Sequence, residues 1–180
     1  MQAQNDAYWR QFNVRSEREG WPIVCDDALV FDVPRIGALL TLWRGVGRGL
    51  AMPRRASITV RVLGVHLPDV AILDVSEAKN GPQRYRFRLL GDVLVQHWGN
   101  VTGRYVGDTL PAPMSLAWPL AFEAVLKAKA PLRFAIARVA TKLGPMKAEA
   151  LIAPLAGDDG ESCSLLMSVV HSPLPKPQTV

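Results

Sequence analysis

Cysteine is nearly missing from this chain: its 180 residues carry two, Cys25 and Cys163. Two isolated thiols make neither a disulfide framework nor a metal-ligand spacing, so each reads as a lone reduced thiol and the compartment as cytoplasm. No run of about 18 apolar residues occurs, which leaves no candidate spanning helix. The opening MQAQNDAYWRQFNVRSEREGW is too polar for a secretory signal. Nucleotide chemistry lacks its loop. Gly45-Val46-Gly47-Arg48-Gly49 is glycine-rich, yet no strand feeds it and no Lys-Ser/Thr follows it. Hydrolase chemistry lacks a Gly-x-Ser-x-Gly elbow. His66, His97 and His171 stand far apart, with no partner at metal spacing. The paired carboxylates Asp26-Asp27 and Asp158-Asp159 read as solvated turn acids.

Acid is missing locally. From Val33 to Pro68 there is none, while Arg35, Arg44, Arg48, Arg54, Arg55 and Arg61 fall in that window. The net charge is +5 and the isoelectric point about 9.6. Guanidinium groups pair well with phosphates and carboxylates, so this segment can be read as a surface for nucleic acid, anionic lipid or an acidic partner. The plainer reading is a solvated face with ordinary salt bridges. It is favoured because no aromatic residues interleave with the arginines as a stacking platform requires.

With 49% hydrophobic and 21% charged residues the balance is that of a globular protein, long enough for one domain that needs no staple. Tyr8, Trp9 and Phe12 can share one helical face, which predicts a packed N-terminal helix followed by an extended arm over Ile23–Asp32. Asp32 is a candidate N-cap, with Pro34 in the first helical turn. Ile36, Leu39, Leu40, Trp43 and Leu50 then recur at helical spacing until Pro53. Val70–Val75 reads as a buried strand, and Lys79-Asn80-Gly81-Pro82 as the turn of a hairpin. Ser115 can cap a second helix whose inner face is Trp118, Ala121, Phe122, Val125 and Leu126, with Glu123 and Lys127 paired outside. Three alternating segments follow, beginning at Leu132, Met146 and Cys163, with turns at Gly144-Pro145 and Gly157-Asp158-Asp159-Gly160. The last alternation ends on His171. The order is α+β, with a closing antiparallel meander.

The stretch from Arg84 to Asp108 is the most specific. Tyr85, Phe87 and Leu89 alternate with Arg84, Arg86 and Arg88, the period of a half-buried strand. Gly91-Asp92 then opens a short helix carrying Leu94 and Trp98, and Gly99 stops it. Tyr85-Arg86-Phe87-Arg88-Leu89-Leu90-Gly91, followed by Gly99-Asn100-Val101-Thr102-Gly103-Arg104-Tyr105-Val106, resembles the PAS domains. In particular it is similar to a branch found as small proteins in alphaproteobacteria. Trp43-Arg44, Met52 to Ile58, Leu67 to Val75 and Leu151 to Gly160 resemble the same family in the right order, so the likeness spans about residues 34–170. One departure is Thr59-Val60, where the family usually has an acidic residue and a proline.

The resemblance implies a PAS-like five-stranded antiparallel sheet, spatially 2-1-5-4-3, with helices packed on one face and an N-terminal helical extension. Residues 1–31 would be that extension, 32–171 the domain and 172–180 a disordered tail. It implies a stand-alone sensory or regulatory module, not an enzyme, with no kinase, cyclase or DNA-binding segment attached. Such a module acts through a partner protein or a second copy of itself and is open to modulation by a small apolar ligand. The ligand-pocket candidates are Tyr85, Phe87, His97, Trp98, Trp118 and Phe122, and the bland alternative is a filled core in which those rings touch. The partner-surface candidates are Arg84, Arg86 and Arg88, a face that residues 8–18 could also cover as a helix. No cofactor is expected. The Asn-Cys-Arg-Phe-Leu-Gln stretch of the flavin-binding branch has no match, and His97, the one haem-ligand candidate, reads as a structural residue. Two other classes remain. One is a nucleic-acid or anionic-surface binder using Arg44, Arg48, Arg54, Arg55 and Arg61. The other is an enzyme, for which Asp74 is the one interior acid.

Overall fold

The computed structural model describes residues 2–78, 81–158 and 161–174. Helix α1 (Gln2–Glu19) leads to strand β1 (Ile23–Asp26), then helix α2 (Pro34–Val46) and the one-turn helix α3 (Val60–Leu63). Strands β2 (Val70–Ala78) and β3 (Gly81–Leu90) form a hairpin, followed by helices α4 (Asp92–Trp98) and α5 (Met114–Ala128). Strands β4 (Leu132–Thr141), β5 (Gly144–Ala156) and β6 (Ser162–Pro173) complete the chain. All six strands pair antiparallel in the order β1-β4-β5-β6-β2-β3. Setting β1 aside, that is the expected 2-1-5-4-3 order. The predicted turn at Lys79-Asn80, half of the Gly157–Gly160 turn, the Cys163 side chain and most of the predicted tail lie outside the described residues.

Five strands were expected and six are present among the described residues. The N-terminal arm is not a loose extension: Ile23 and Cys25 are buried, and their strand pairs with β4 through Ile23↔Ile136 and Cys25↔Phe134. Helices cover both faces of the sheet, not one. On β2, β5 and β6 alternate residues serve separate cores. Ala71, Leu73, Ala150, Ile152, Leu165 and Met167 face an inner core with α1, α4 and α5. Val70, Ile72, Leu151, Leu155, Leu166 and Val170 face an outer core with α2 and α3. A strand apolar on both sides needs two covers, and its sequence runs nearly unbroken in hydrophobics, as over Val70–Leu73 and Leu151–Leu155. Residues 8–18 therefore do not cover the outer face. Phe12 of α1 meets Phe134 edge-on at 5.7 Å on the inner one.

Local expectations also shift. Asp32 does not cap α2: the N-cap is Val33, which makes no side-chain cap, and Pro34 follows it. The cap arrives from β5, where the Glu149 carboxylate accepts the backbone N–H groups of Asp32 (3.2 Å) and Val33 (2.9 Å). Arg133 donates to Glu149 at 2.7 Å and to Asp26 at 2.9 Å, tying β1, β4, β5 and α2 together. Ser115 likewise is not a cap, since Pro113 stands at that position. Leu50 lies beyond α2 and is 54% exposed. In β3 the pairing slips between Ile72↔Leu89 and Leu73↔Phe87, leaving Arg88 as an extra residue. The bulge turns Leu89 from the inner core, where alternation placed it, to the outer.

Each rim of the sheet is partly covered. The Asn13 side-chain amide donates to the Cys25 carbonyl and accepts the Cys25 N–H, each at 2.8 Å. Ser16 Oγ donates to the Ile23 carbonyl at 2.6 Å. At the other rim the Phe87 N–H donates to the Arg104 carbonyl at 3.0 Å, and Gly103 N–H to the Phe87 carbonyl at 2.7 Å.

Candidate functional site

The inner aromatic residues come from three elements. Alternation in β3 sends Tyr85 and Phe87 inward, helical spacing in α5 sends Trp118 and Phe122 to meet them, and α4 ends on Trp98. Gly91 sets where α4 starts. Its N–H donates to the Val70 carbonyl at 2.8 Å, and a Cβ there would fall 2.0 Å from the Leu67 carbonyl oxygen. Only glycine allows this close backbone approach. Gly99 closes α4 with a φ of 81°.

The rings touch. Tyr85 meets Phe122 edge-on at 4.9 Å, Trp118 stacks on Phe122 at 5.7 Å, and Phe87 lies 6.1 Å from Trp98. Burial pushes the Tyr85 phenol up in pKa, helped by Glu123. Tyr85, Phe87 and Phe122 are buried in this ring layer. A cavity of about 20 Å³ persists between Trp98, Met114, Trp118, Ile136, Val169 and His171. That is room for about one water. Of the six pocket candidates, Trp98 and Trp118 line it, and the other four do not.

His97 faces elsewhere and has a partner that sequence spacing does not suggest. Its ring stacks on His171 at 4.0 Å, with Trp98 edge-on to His171 at 5.8 Å. The register Ala148↔His171 brings the end of β6 to the end of α4. The available signal was the inward alternation Leu165, Met167, Val169, which His171 continues with a polar side chain. Buried polar atoms without a partner gather here: His97 Nδ1, both His171 ring nitrogens and Asp69 Oδ1. Such groups are rare in a native fold and each calls for a reason. Burial, and then His97, pulls His171 down to about 4. Burial lowers His97 against the opposing pull of Asp69. Asp69 is raised by burial, opposed by Arg35 at 3.2 Å. Stacked rings do not aim their in-plane nitrogens at a common point. Among the described residues no three His, Cys, Asp or Glu are placed to hold a metal ion.

The arginine candidates are all on the surface. Arg84 stacks over Tyr105 at 3.6 Å and pairs with Asp108 at 3.1 Å. Arg86 pairs with Asp74 at 3.3 Å, and Arg88 is exposed at the bulge. Asp74 is therefore not an interior acid but an outward ion-pair partner. Arg44, Arg48, Arg54 and Arg61 are exposed and distributed over α2, the following loop and α3. Arg55 donates to the Ile58 carbonyl at 3.1 Å.

A family model for the PAS domain matches residues 32–170. Among solved structures the chain is similar to one described as an RNA-binding light-oxygen-voltage receptor. That match has 14% identity and a TM-score of 0.41, covering 66% of this chain and 35% of that one. The chain thus spans about a third of that receptor's length. No curated protein matches it.

Proposed function

The chain belongs to the PAS domain family, and from that membership we propose that it works as a sensory or regulatory module whose output passes by contact to a partner protein. The observation that carries this reading is the division of the sheet. Its inner face is a ring-packed core with no nucleophile beside a base among the described residues, while the outer face of β3 keeps Arg84, Arg86 and Arg88 exposed. For a partner to switch, it must prefer one of two states of the module. The ring layer around the small cavity is where a ligand would bias them. The reading includes no flavin or haem. The small volume of the inner cavity, about 20 Å³, and the stacking of His97 on His171 support that part of the reading. No helix among the described residues is long and apolar enough to cross a membrane, and a cytoplasmic location is part of the proposal.

Pull-down from native lysate with Arg84, Arg86 and Arg88 each changed to Glu tests the surface. Loss of a specifically retained protein supports it, and unchanged recovery removes this face from the reading. A second reading is favoured by Arg44, Arg48, Arg54 and Arg61, which are exposed and without an ion pair among the described residues. It makes the chain a binder of nucleic acid or anionic surfaces, and it requires affinity that falls steeply with salt.

A further inference from the structure

A second, larger hollow adjoins the inner cavity. It holds about 230 Å³, and its lining includes His97, Trp98, Leu110, Pro111, Ala140 and Lys142. Trp98, Leu110, Pro111 and Ala140 also line the inner cavity, so these four form a shared wall. The His97–His171 stack straddles it, His97 on the cleft side and His171 on the cavity side. The volume lies below the roughly 300–1,000 Å³ of sites for drug-sized ligands, which restricts an occupant to a small molecule.

The polar inventory of the cleft is short. The two threonines lining it are engaged: Thr109 Oγ1 donates to the Tyr105 carbonyl at 3.0 Å, and Thr141 Oγ1 to the Gly144 carbonyl at 2.8 Å. That leaves Lys142 and His97. Lys142 is the one full charge on the lining, no carboxylate lines it, and no salt bridge among the described residues occupies the ammonium. The Lys142 backbone N–H donates to the His97 carbonyl at 2.8 Å, which fixes the two residues side by side. Its side chain lies across Gly99, where a Cβ would come within 2.5 Å of Nζ. His97 is 8% exposed and lines the cleft, while its Nδ1 is sealed from solvent, so the rest of the ring is what an occupant meets. A cation with no salt bridge among the described residues, an imidazole on the lining and otherwise apolar walls complement one chemistry.

We propose that this cleft binds a small monocarboxylic acid with an apolar, ring-sized body, its carboxylate held by Lys142 Nζ and the His97 imidazole. The apolar body lies against Trp98, Leu110 and Pro111, and pressure on their shared wall reaches the inner ring layer. The inference deepens the sensory reading and rests on it only for the purpose of binding. A carboxylate suits the site better than a neutral amide of the same shape, because hydrogen bonds to a charged group are the stronger ones.

The probes are phenylacetate and phenylacetamide, titrated into the full chain by calorimetry and by two-dimensional amide NMR. Phenylacetate is expected to saturate at millimolar concentration, shifting Thr109, Thr141, Lys142 and the Trp98 indole. Phenylacetamide is expected to bind roughly tenfold more weakly. Lys142→Gln, on an exposed side chain, is expected to cut phenylacetate affinity by about the same factor and leave phenylacetamide unchanged. Any of four results overturns the proposal: no saturable shift by phenylacetate, equal affinity for acid and amide, shifts centred away from the cleft, or an unaltered acid affinity in Lys142→Gln. No partner protein is in the assay, so its failure removes the acid site and leaves the partner reading to the pull-down.

Discussion

The two cores on either side of one sheet are built differently. The outer core is aliphatic: Ile36, Leu39 and Leu40 of α2 lie against Leu151, Leu155 and Leu166. Trp43, the one aromatic among its buried described residues, gives its indole N–H to the Pro154 carbonyl at 3.1 Å. The inner core buries Phe12, Tyr85, Phe87, Trp118, Phe122 and Phe134, and it keeps unpartnered histidine nitrogens beside a small void. On the outer side the buried tryptophan has its polar atom satisfied. The inner side retains polar atoms in want of a partner, and that is where a small change in occupancy can be felt.

The comparison can be broken at graded cost. Gly91→Ala strikes the segment that supports both cores, since its Cβ would meet the Leu67 and Pro68 carbonyl oxygens at 2.0 and 2.4 Å. Neither backbone atom can swing aside, so a loss of about 4 kcal/mol or more is expected in urea unfolding. Leu151→Ala opens the outer core and is expected to cost about 3 kcal/mol. It should leave the amide shifts of Lys142 and Thr109 in place, and an equal disturbance at the cleft would mean the cores are not separate. Arg133→Met strands Glu149 beside the start of α2 at a cost of about 2 kcal/mol. Adding Glu149→Gln removes the stranded charge but keeps one acceptor oxygen for the Asp32 and Val33 N–H groups, which Glu149 accepts on two, so it is expected to recover part of that.

The smallest effect is read in pH. The unfolded chain protonates its histidines near 6.5, whereas His171 is held near 4 and His97 is also lowered. Between those values the unfolded state binds more protons, so stability falls as pH falls. Between pH 7 and pH 5 a loss of roughly 1–2 kcal/mol is expected, flattened in His171→Leu. Urea midpoints at the two pH values measure it.

Much of this architecture is written locally. The alternation of β3 and β4, the stripes of α2 and α5, and the glycines at 91 and 99 each announce their element. What escapes local reading depends on distant chain. β1 has only four residues, and its pairing is supplied by β4, more than a hundred positions on. The cap of α2 is Glu149, so choosing the nearest polar residue, Asp32, selected the wrong group. One bulge at Arg88 was enough to send Leu89 to the opposite core. The His97–His171 stack exists only through the register of β6, although both histidines were visible as isolated residues. Family likeness carried the strand order but not the second layer of helices, which follows from strands oily on both sides.

The Asn13 amide at one rim and the Gly103–Arg104 backbone at the other have a consequence for assembly. An open sheet normally offers a growing point to any stray extended peptide. Here each edge is taken in part by the chain's own groups, at Ile23 and Cys25 on β1 and at Phe87 on β3, so strand addition at those residues must first displace them. At those residues recognition is left to side chains, where charge and shape can discriminate.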